Sequence, residues 1–177
     1  ALAKEQPTYP PLNYFLAMLL RSKGNKARVR DLLRRAVQAS PSYADAQLAL
    51  GNLELDTSDA AAAARAFEAV TAARPERADA WTGLGLARQA EGDLDGAIDA
   101  LRHAATAAPA EAMVHFNLAV ALQKSRRYDE AREAYRTALA IDPKSAETLY
   151  NYGLLLAELG QAELAIGSWK AALAASA

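Results

Sequence analysis

Side chains that could do chemistry are few and widely spaced along this chain. The two histidines, His103 and His115, are twelve residues apart, so neither pairs with another histidine at a metal-binding spacing. The chain has no cysteine, which excludes disulfides and thiolate chemistry. Asp93, Asp95 and Asp99 lack the spacing of a calcium loop, and we expect the first two to complement a helix N-terminus. No serine, histidine and acid form a pattern typical of a catalytic triad. We therefore predict no catalytic activity, no metal and no cofactor.

Two glycine-containing segments invite comparison with phosphate-binding motifs. Gly83–x–Gly85 begins like a dinucleotide-binding fingerprint, but Arg88 stands at the third glycine position and no strand precedes the motif. Residues 23–26 lack the glycine, lysine and hydroxyl spacing of a phosphate-binding loop. We expect Gly85 instead to let two helices pack closely.

Charge is balanced over the whole chain but not along it. The 20 basic and 21 acidic residues give a net charge of −1. Residues 1–43 hold eight basic and two acidic side chains, a net charge of +6, so the rest of the chain carries −7. A basic end can attract anionic partners, and the candidate patch is Arg28, Arg30, Arg34 and Arg35. We favour the alternative of a solvated helix surface, and we do not expect nucleic acid to bind.

A repeat with a period of about 34 residues organises the chain. Four prolines have this spacing: Pro41, Pro75, Pro109 and Pro143. A mostly small series follows the same interval, at Ala17, Gly51, Gly85, Ala119 and Gly153. A bulky series does so at Leu33, Phe67, Leu101, Tyr135 and Trp169. These series predict one domain over residues 10–177, made of repeats 10–43, 44–77, 78–111, 112–145 and 146–177, after an extension at 1–9.

Each repeat is predicted to be a helical hairpin. In the fourth repeat, apolar residues at helical spacing predict helices over 113–125 and 128–141. Pro143 ends the second helix, because the residue before a proline disfavours the helical conformation. Other repeats carry a glycine in the break, suited to the left-handed conformation that follows a helix: Gly24, Gly92 and Gly160. Asp59 and Asp93 stand where a side-chain N-cap would begin the second helix.

The pattern Trp81–x–x–Leu84–Gly85, followed by Gly92, Ala97, Leu101, Ala104 and Pro109, resembles the tetratricopeptide repeat (TPR). The last two repeats resemble it equally well, and the first two are weaker but in register. The resemblance implies an all-α fold, a right-handed superhelical α-solenoid of stacked helix-turn-helix hairpins. Proteins of this family are used mainly to bind peptide segments or domains of other proteins.

The resemblance also implies a binding surface, because the first helix of each hairpin lines the concave groove in this family. The candidate partner-binding residues are Tyr14, Phe15, Met18, Leu48, Asn52, Thr82, Leu86, Phe116, Asn117, Val120, Tyr150, Asn151 and Leu154. Exposed aromatic and apolar side chains commonly mark partner sites. As an alternative, Tyr14 and Phe15 could close the first hairpin under residues 1–9, and Phe116 and Tyr150 could pack against adjacent first helices.

The leading interpretation is a non-catalytic scaffold that binds a peptide or helical segment of a partner protein in this groove. One alternative is a regulatory or substrate-selecting segment of a larger enzyme such as an O-linked glycosyltransferase. Asn117 and Asn151 match two rungs of the asparagine ladder in such arrays. A bacterial envelope or assembly scaffold is another alternative. The two-carboxylate clamp of chaperone-binding members is not recognisable, since Leu48, Thr82 and Met113 stand at its polar positions.

The ends of the chain carry two further expectations. Terminal repeats normally need a polar outer face, but Ile166 and Leu173 would require a following repeat to cover them. We expect either a fragment of a longer protein or self-association through this last helix. The longest apolar run, residues 14–20, is too short to span a bilayer. No export signal is visible, and we expect a soluble protein of the cytoplasm or the periplasm.

Overall fold

The computed structural model describes residues 9–22 and 24–176, which leaves most of the predicted N-terminal extension outside the described residues. Within those ranges the chain forms ten α-helices and no strand. They are α1 (Pro10–Arg21), α2 (Lys26–Ala39), α3 (Ala44–Asp56), α4 (Ala60–Ala73), α5 (Ala78–Glu91), α6 (Leu94–Ala107), α7 (Ala112–Lys124), α8 (Tyr128–Ile141), α9 (Ala146–Glu158) and α10 (Ala162–Ala175). Across the same ranges, none of the helices has the length and hydrophobicity that crossing a membrane requires.

The chain divides into two compact units, residues 1–91 and residues 92–177. In the first unit α1 pairs with α2, α3 pairs with α4, and both α3 and α5 pack onto the hairpin before them. In the second unit α6 packs against α7, α7 pairs with α8, α8 packs against α9, and α9 pairs with α10. The prediction of an all-α fold of stacked hairpins is therefore confirmed. A single domain over residues 10–177 stays a prediction.

A left-handed residue separates the two helices at five positions, each one repeat period from the next. Three are the predicted glycines, Gly24, Gly92 and Gly160, with φ of 76°, 86° and 74°. Ser58 and Arg126 take the same conformation, each with φ of 61°, although residues with a side chain rarely adopt it. The hairpin therefore imposes this turn even where the local sequence does not favour it.

Side-chain caps start the second helix of three hairpins. Asn25, Asp59 and Asp93 each accept a hydrogen bond from the backbone N–H three residues ahead, at 3.0, 3.0 and 2.9 Å. The two caps predicted from the sequence, Asp59 and Asp93, are confirmed. The helices α8 and α10 follow Arg127 and Gln161 without a side-chain cap from these two described residues.

Aromatic rings of the second helices set the distance between neighbouring helices. Phe67 of α4 is fully buried, between Gly51 of α3 and Gly83 of α5. A Cβ atom on Gly51 would lie 2.8 Å from the Phe67 Cζ, and one on Gly83 would lie 2.5 Å from it. Trp169 of α10 occupies the same position against Gly153 of α9, where a Cβ would lie 2.6 Å from the indole Cδ1. The bulky series of the repeat thus fills the gaps that the small residues leave.

A side chain at the start of three first helices bonds the carbonyl of the repeat's proline. Gln47 Nε2 donates to Pro41 O at 3.2 Å, and Trp81 Nε1 donates to Pro75 O at 2.8 Å. His115 Nε2 lies 2.9 Å from Pro109 O in the same arrangement. His115 is therefore a half-buried structural residue.

Candidate functional site

A cavity of about 410 Å³ opens between α7, α8 and α9 in the second unit. Its lining side chains come from α7, the following turn, α8 and α9: Val120, Gln123, Lys124, Arg126, Tyr128, Tyr135, Asn151 and Glu158. The α7 residues are spaced i, i+3 and i+4, and the two α9 residues are seven apart. Each first helix therefore contributes one stripe to the cavity.

Hydrogen bonds connect the three helices across the cavity. The Tyr135 hydroxyl donates to Gln123 Oε1 at 2.9 Å, and Gln123 Nε2 donates to Glu158 Oε2 at 3.1 Å. Burial, reinforced by the negative charge of Glu158, raises the pKa of Tyr135 above its usual value. Tyr135 is therefore a neutral hydroxyl donor at physiological pH, and the bonds hold Gln123 and Glu158 in place.

An aromatic layer lies beneath this polar network. The Tyr135 ring centroid is 6.2 Å from that of Phe116 and 5.9 Å from that of Tyr152. Phe116 is buried in the core cluster of the second unit. Its predicted outward position was wrong, because the ring packs on Tyr135 of the neighbouring second helix. Leu48 is also buried rather than outward, because α3 packs against α2, α4 and α5.

Two cations at the rim of the cavity, Lys124 and Arg126, have no acidic partner among the described residues. Lys124 ends α7, and Arg126 occupies the left-handed turn that follows it. In the part of the chain that the structure describes, the ion pairs of this region involve Arg102, Arg127 and Arg132 instead. The positive charges of Lys124 and Arg126 are therefore available to a ligand.

Comparison with known proteins assigns the repeat. Three models of the tetratricopeptide repeat match residues 48–112, 112–145 and 134–167. Together they cover residues 48–167, more than half of the chain. The chain belongs to the tetratricopeptide repeat family. The count of five repeats stays a prediction, and no curated protein matches the TPR chain.

Solved structures share the TPR fold at low sequence identity. A crystal structure of MamA is 23% identical, with a TM-score of 0.84 over 90% of this chain and 94% of that chain. MamA 41-end from Desulfovibrio magneticus RS-1 is 17% identical, with a TM-score of 0.86 over 94% of each chain. YrrB, described as a TPR protein with an unusual peptide-binding site, is 22% identical, with a TM-score of 0.79 over 98% of this chain and 90% of that chain. At these identities the likeness shows the fold alone.

Only some of the predicted groove residues of the TPR chain meet in one site. Val120 and Asn151 line the cavity, and Asn117 lies half-buried on α7. Tyr150 and Leu154 are exposed on α9. In the first unit, the exposed members are Phe15 and Asn52, and the half-buried members are Tyr14, Met18, Thr82 and Leu86. The Tyr14 ring packs edge-on against Tyr43, the residue that precedes α3, at 5.3 Å. The alternative that Tyr14 and Phe15 close the first hairpin under residues 1–9 falls largely outside the described residues.

Sequence reasoning missed the charged and hydrogen-bonding members of the cavity, which are Gln123, Lys124, Arg126, Tyr128 and Glu158. One signal was present in the repeat. Lys124 and Glu158 are one repeat period apart and so occupy the same position in neighbouring repeats, with opposite charge. Charged residues at the same position of neighbouring repeats predict a row of charged side chains along the first helices of a TPR array.

The candidate anionic-partner patch, Arg28, Arg30, Arg34 and Arg35, is not a set of unpaired cations. Glu54 of α3 is 1% exposed and accepts hydrogen bonds from Arg30 Nε and Arg34 Nη2, both at 2.9 Å. The other two arginines pair with Asp31 at 3.1 and 3.2 Å. These contacts stabilise α2 and hold it on α3, so the patch carries a structural role.

The remaining chemically interesting residues do not converge. Across residues 9–22 and 24–176, no group of three or more acidic or histidine side chains is arranged to hold a metal ion. His103 is exposed on α6, and Asp93 is used as an N-cap. A second cavity of about 450 Å³ in the same unit is lined partly by Arg102 and Glu130, which pair with each other at 2.8 Å. Arg102 and Glu130 are thus already paired with each other, unlike Lys124 and Arg126 at the rim of the first cavity.

Proposed function

We propose that this TPR chain is a non-catalytic scaffold whose cavity between α7, α8 and α9 binds a peptide segment of a partner protein. The observation that carries the proposal is that two cations, an amide and a fixed polar network line one cavity between α7, α8 and α9. Within the described residues, these two cations, Lys124 and Arg126, form no ion pair. Its cations, amides and carboxylate are groups that can hold a peptide through ion pairs and hydrogen bonds, which is why we propose binding as its role.

The lining residues favour a peptide with an acidic side chain. Lys124 and Arg126 would donate hydrogen bonds to a carboxylate, which an arginine can bind through two parallel hydrogen bonds. The Asn151 Nδ2 donates to Glu147 O at 2.9 Å, which leaves its Oδ1 to accept an N–H from a peptide backbone. Val120 and Tyr128 supply apolar contact beside these groups. The ligand we propose is a short acidic segment with an adjacent apolar residue.

Preorganisation supports the same ligand. Gln123 is held at both ends of its amide by Tyr135 and Glu158. Side chains that are already fixed lose less conformational entropy on binding, so more of the contact energy appears as affinity. YrrB, which shares the fold, is described as having an unusual peptide-binding site. That description supports a peptide as the class of ligand.

The test is selection of displayed random peptides against the whole chain, followed by titration of the selected peptides. We expect enrichment of Asp and Glu, and weaker binding as salt rises. The Lys124→Ala/Arg126→Ala variant should lose about 2 kcal/mol of binding free energy, which is about thirtyfold in Kd. The matched control is Arg136→Ala/Lys144→Ala, which removes the same charge from the second unit outside the cavity and should leave Kd unchanged.

Two results would contradict the proposal. Selected peptides that bind the Lys124→Ala/Arg126→Ala variant as tightly as the wild type would place the site elsewhere. Equal losses of affinity in that variant and in the control would show that long-range electrostatic attraction, and not contact within the cavity, causes the effect.

A second candidate function is self-association through α10. Ile166 and Leu173 are exposed on this last helix, and an exposed apolar stripe commonly marks an interface. Light scattering tests it directly. We expect a molar mass above the 18.8 kDa of one chain that rises with concentration. A constant mass of one chain would exclude this candidate and leave the peptide site untouched.

A further inference from the structure

The cavity between α7, α8 and α9 is lined by a carboxylate as well as by its two cations. We infer that its peptide ligand carries a basic side chain two residues from the acidic one, so that Glu158 binds the base while Lys124 and Arg126 bind the acid. The inference rests on the proposed peptide binding and specifies a second charge on the peptide.

The position of Glu158 is fixed from the buried side of the cavity. Tyr135 is fully buried, and its hydroxyl donates its single proton to Gln123 Oε1 at 2.9 Å. This bond orients the Gln123 amide so that Nε2 donates to Glu158 Oε2 at 3.1 Å. Burial, and after it the negative charge of Glu158, raises the pKa of Tyr135, so the carboxylate lies close to the buried hydroxyl. Glu158 is thus held at the cavity by neutral groups that leave its charge in place.

The opposite charges of the cavity are not paired with each other. Lys124 and Glu158 occupy the same position of neighbouring repeats, on helices that are in contact. Within residues 9–22 and 24–176, no ion pair joins Glu158 to Lys124, Arg126 or another cation. Unlike Arg102 and Glu130 in the second cavity, these groups have not satisfied one another. A ligand that carries both charges can therefore bind both.

Charge complementarity selects such a ligand over a purely acidic one. The carboxylate of Glu158 repels a second acidic side chain and attracts a basic one. Two cations against one carboxylate leave one positive charge in excess, so the preference for an acidic side chain is kept. A peptide with one acidic and one basic side chain gains an ion pair on each side of the cavity.

The spacing of the two charges on the peptide follows from the spacing of the helices. The axes of packed helices are about 8–10 Å apart, and Lys124 and Glu158 start from equivalent points on two such helices. An extended segment rises about 3.3 Å per residue and directs every second side chain to the same face. Side chains two residues apart are separated by about 7 Å, and those four apart by about 13 Å. The spacing of two residues is the closer match.

The test repeats the selection of displayed random peptides on the Glu158→Gln variant of the whole chain. Glutamine keeps an oxygen that accepts the Gln123 Nε2–H, so the substitution removes the charge and preserves the hydrogen-bond network. The matched control is Glu163→Gln, which removes one negative charge from an exposed residue of α10 outside the cavity. Circular dichroism establishes that both variants are helical.

We expect the wild type and Glu163→Gln to select peptides in which Lys or Arg lies two residues from Asp or Glu. Glu158→Gln should still select Asp and Glu, without the basic residue. In titrations, Glu158→Gln should bind a wild-type-selected peptide about fivefold more weakly. Replacing the basic residue of that peptide by glutamine should weaken binding to the wild type by the same factor and leave binding to Glu158→Gln unchanged.

The failure of this inference can be told from the failure of the proposed function. Acidic peptides selected by the wild type without a basic residue at the stated spacing would overturn the inference, and the acidic peptide site would stand. Equal enrichment of Lys and Arg by Glu158→Gln and by the wild type would do the same. A wild-type chain that selects no acidic peptide would overturn both proposals.

Discussion

Substituting Gly83 by alanine should destabilise the first unit although alanine is the better helix former. Gly83 lies within α5, where its missing side chain leaves room for the ring of Phe67. The new Cβ would lie 2.5 Å from the Phe67 Cζ, well inside van der Waals contact. The ring has little room to move away, because Phe67 is fully buried and its Cζ already lies close against Gly51, where a Cβ would be 2.8 Å from it.

The expected magnitude is the difference between two opposing effects. Overpacking a buried site costs about 1–3 kcal/mol, and the upper part of this range applies because Phe67 is confined on both sides. Replacing glycine by alanine within a helix contributes about 1 kcal/mol in the opposite direction. The net loss should be about 2 kcal/mol, or about 4–8 °C in Tm for a chain of this size.

Gly167→Ala is the matched control. Gly167 lies in α10, and a Cβ built there meets no atom within 4 Å. Only the helix-propensity effect remains, so this variant should be more stable than the wild type by up to about 1 kcal/mol. The assay is urea and thermal unfolding followed by circular dichroism, with the two variants and the wild type measured side by side.

The difference in stability between the Gly83→Ala and Gly167→Ala variants tests the argument. A Gly83→Ala variant as stable as Gly167→Ala would refute the argument that Phe67 requires glycine on both sides. If the argument holds, adding Phe67→Leu to Gly83→Ala should cost less than the sum of the two single changes, since the smaller side chain relieves the overlap.

Two further predictions concern ionised groups of the first unit. Glu54→Gln should lower the free energy of unfolding in urea by about 2 kcal/mol, because the buried carboxylate binds both Arg30 and Arg34. The surface control Glu68→Gln should change stability by less than about 0.5 kcal/mol. Equal effects of the two substitutions would refute the argument that burial makes the Glu54 pairs stronger. The hydrogen bonds from Arg77, at 3.0 and 2.8 Å, lower the pKa of Asp79, so its contribution is present above the unfolded pKa of about 4 and is lost as pH falls through the lower folded value. Asp79→Asn should therefore lose about 0.5 kcal/mol of stability at pH 7 in thermal unfolding. The difference from the wild type should close as the pH falls through the lowered folded pKa of Asp79. A difference that persists once Asp79 is protonated would contradict the assignment.

Much of the fold could be predicted because its determinants are local. The helix predicted over 128–141 is α8, and the helix predicted over 113–125 is α7 displaced by one residue. The cap formed by Asp59 could be predicted from the sequence, because its hydrogen bond joins Asp59 to the backbone of Ala62, only three residues later. Arg126 shows the limit, since nothing in its local preference predicts a left-handed residue. Its conformation is imposed by the packing of α7 on α8.

The candidate site was harder to predict because burial depends on neighbouring helices. Phe116 and Tyr150 occupy outward positions by helical spacing, yet Phe116 is buried and Tyr150 is exposed. Phe116 is covered by the ring of Tyr135, which follows it in the same hairpin. Arg30 and Arg34 resemble a free basic surface in the sequence, but Glu54 reaches them from the next hairpin.

The sequence by itself determined the repeat, its hairpins and the family, because a regular period and turn chemistry are properties of the chain read in order. Tertiary structure decided which groups meet. Gln123, Tyr135 and Glu158 lie on three helices, and only the packing of those helices brings their polar atoms within hydrogen-bond distance. Packing likewise decided that Leu19 is exposed where the equivalent Leu155 is buried. Both leucines have the same place in the repeat, and Leu155 is covered because the preceding helix α8 packs on α9.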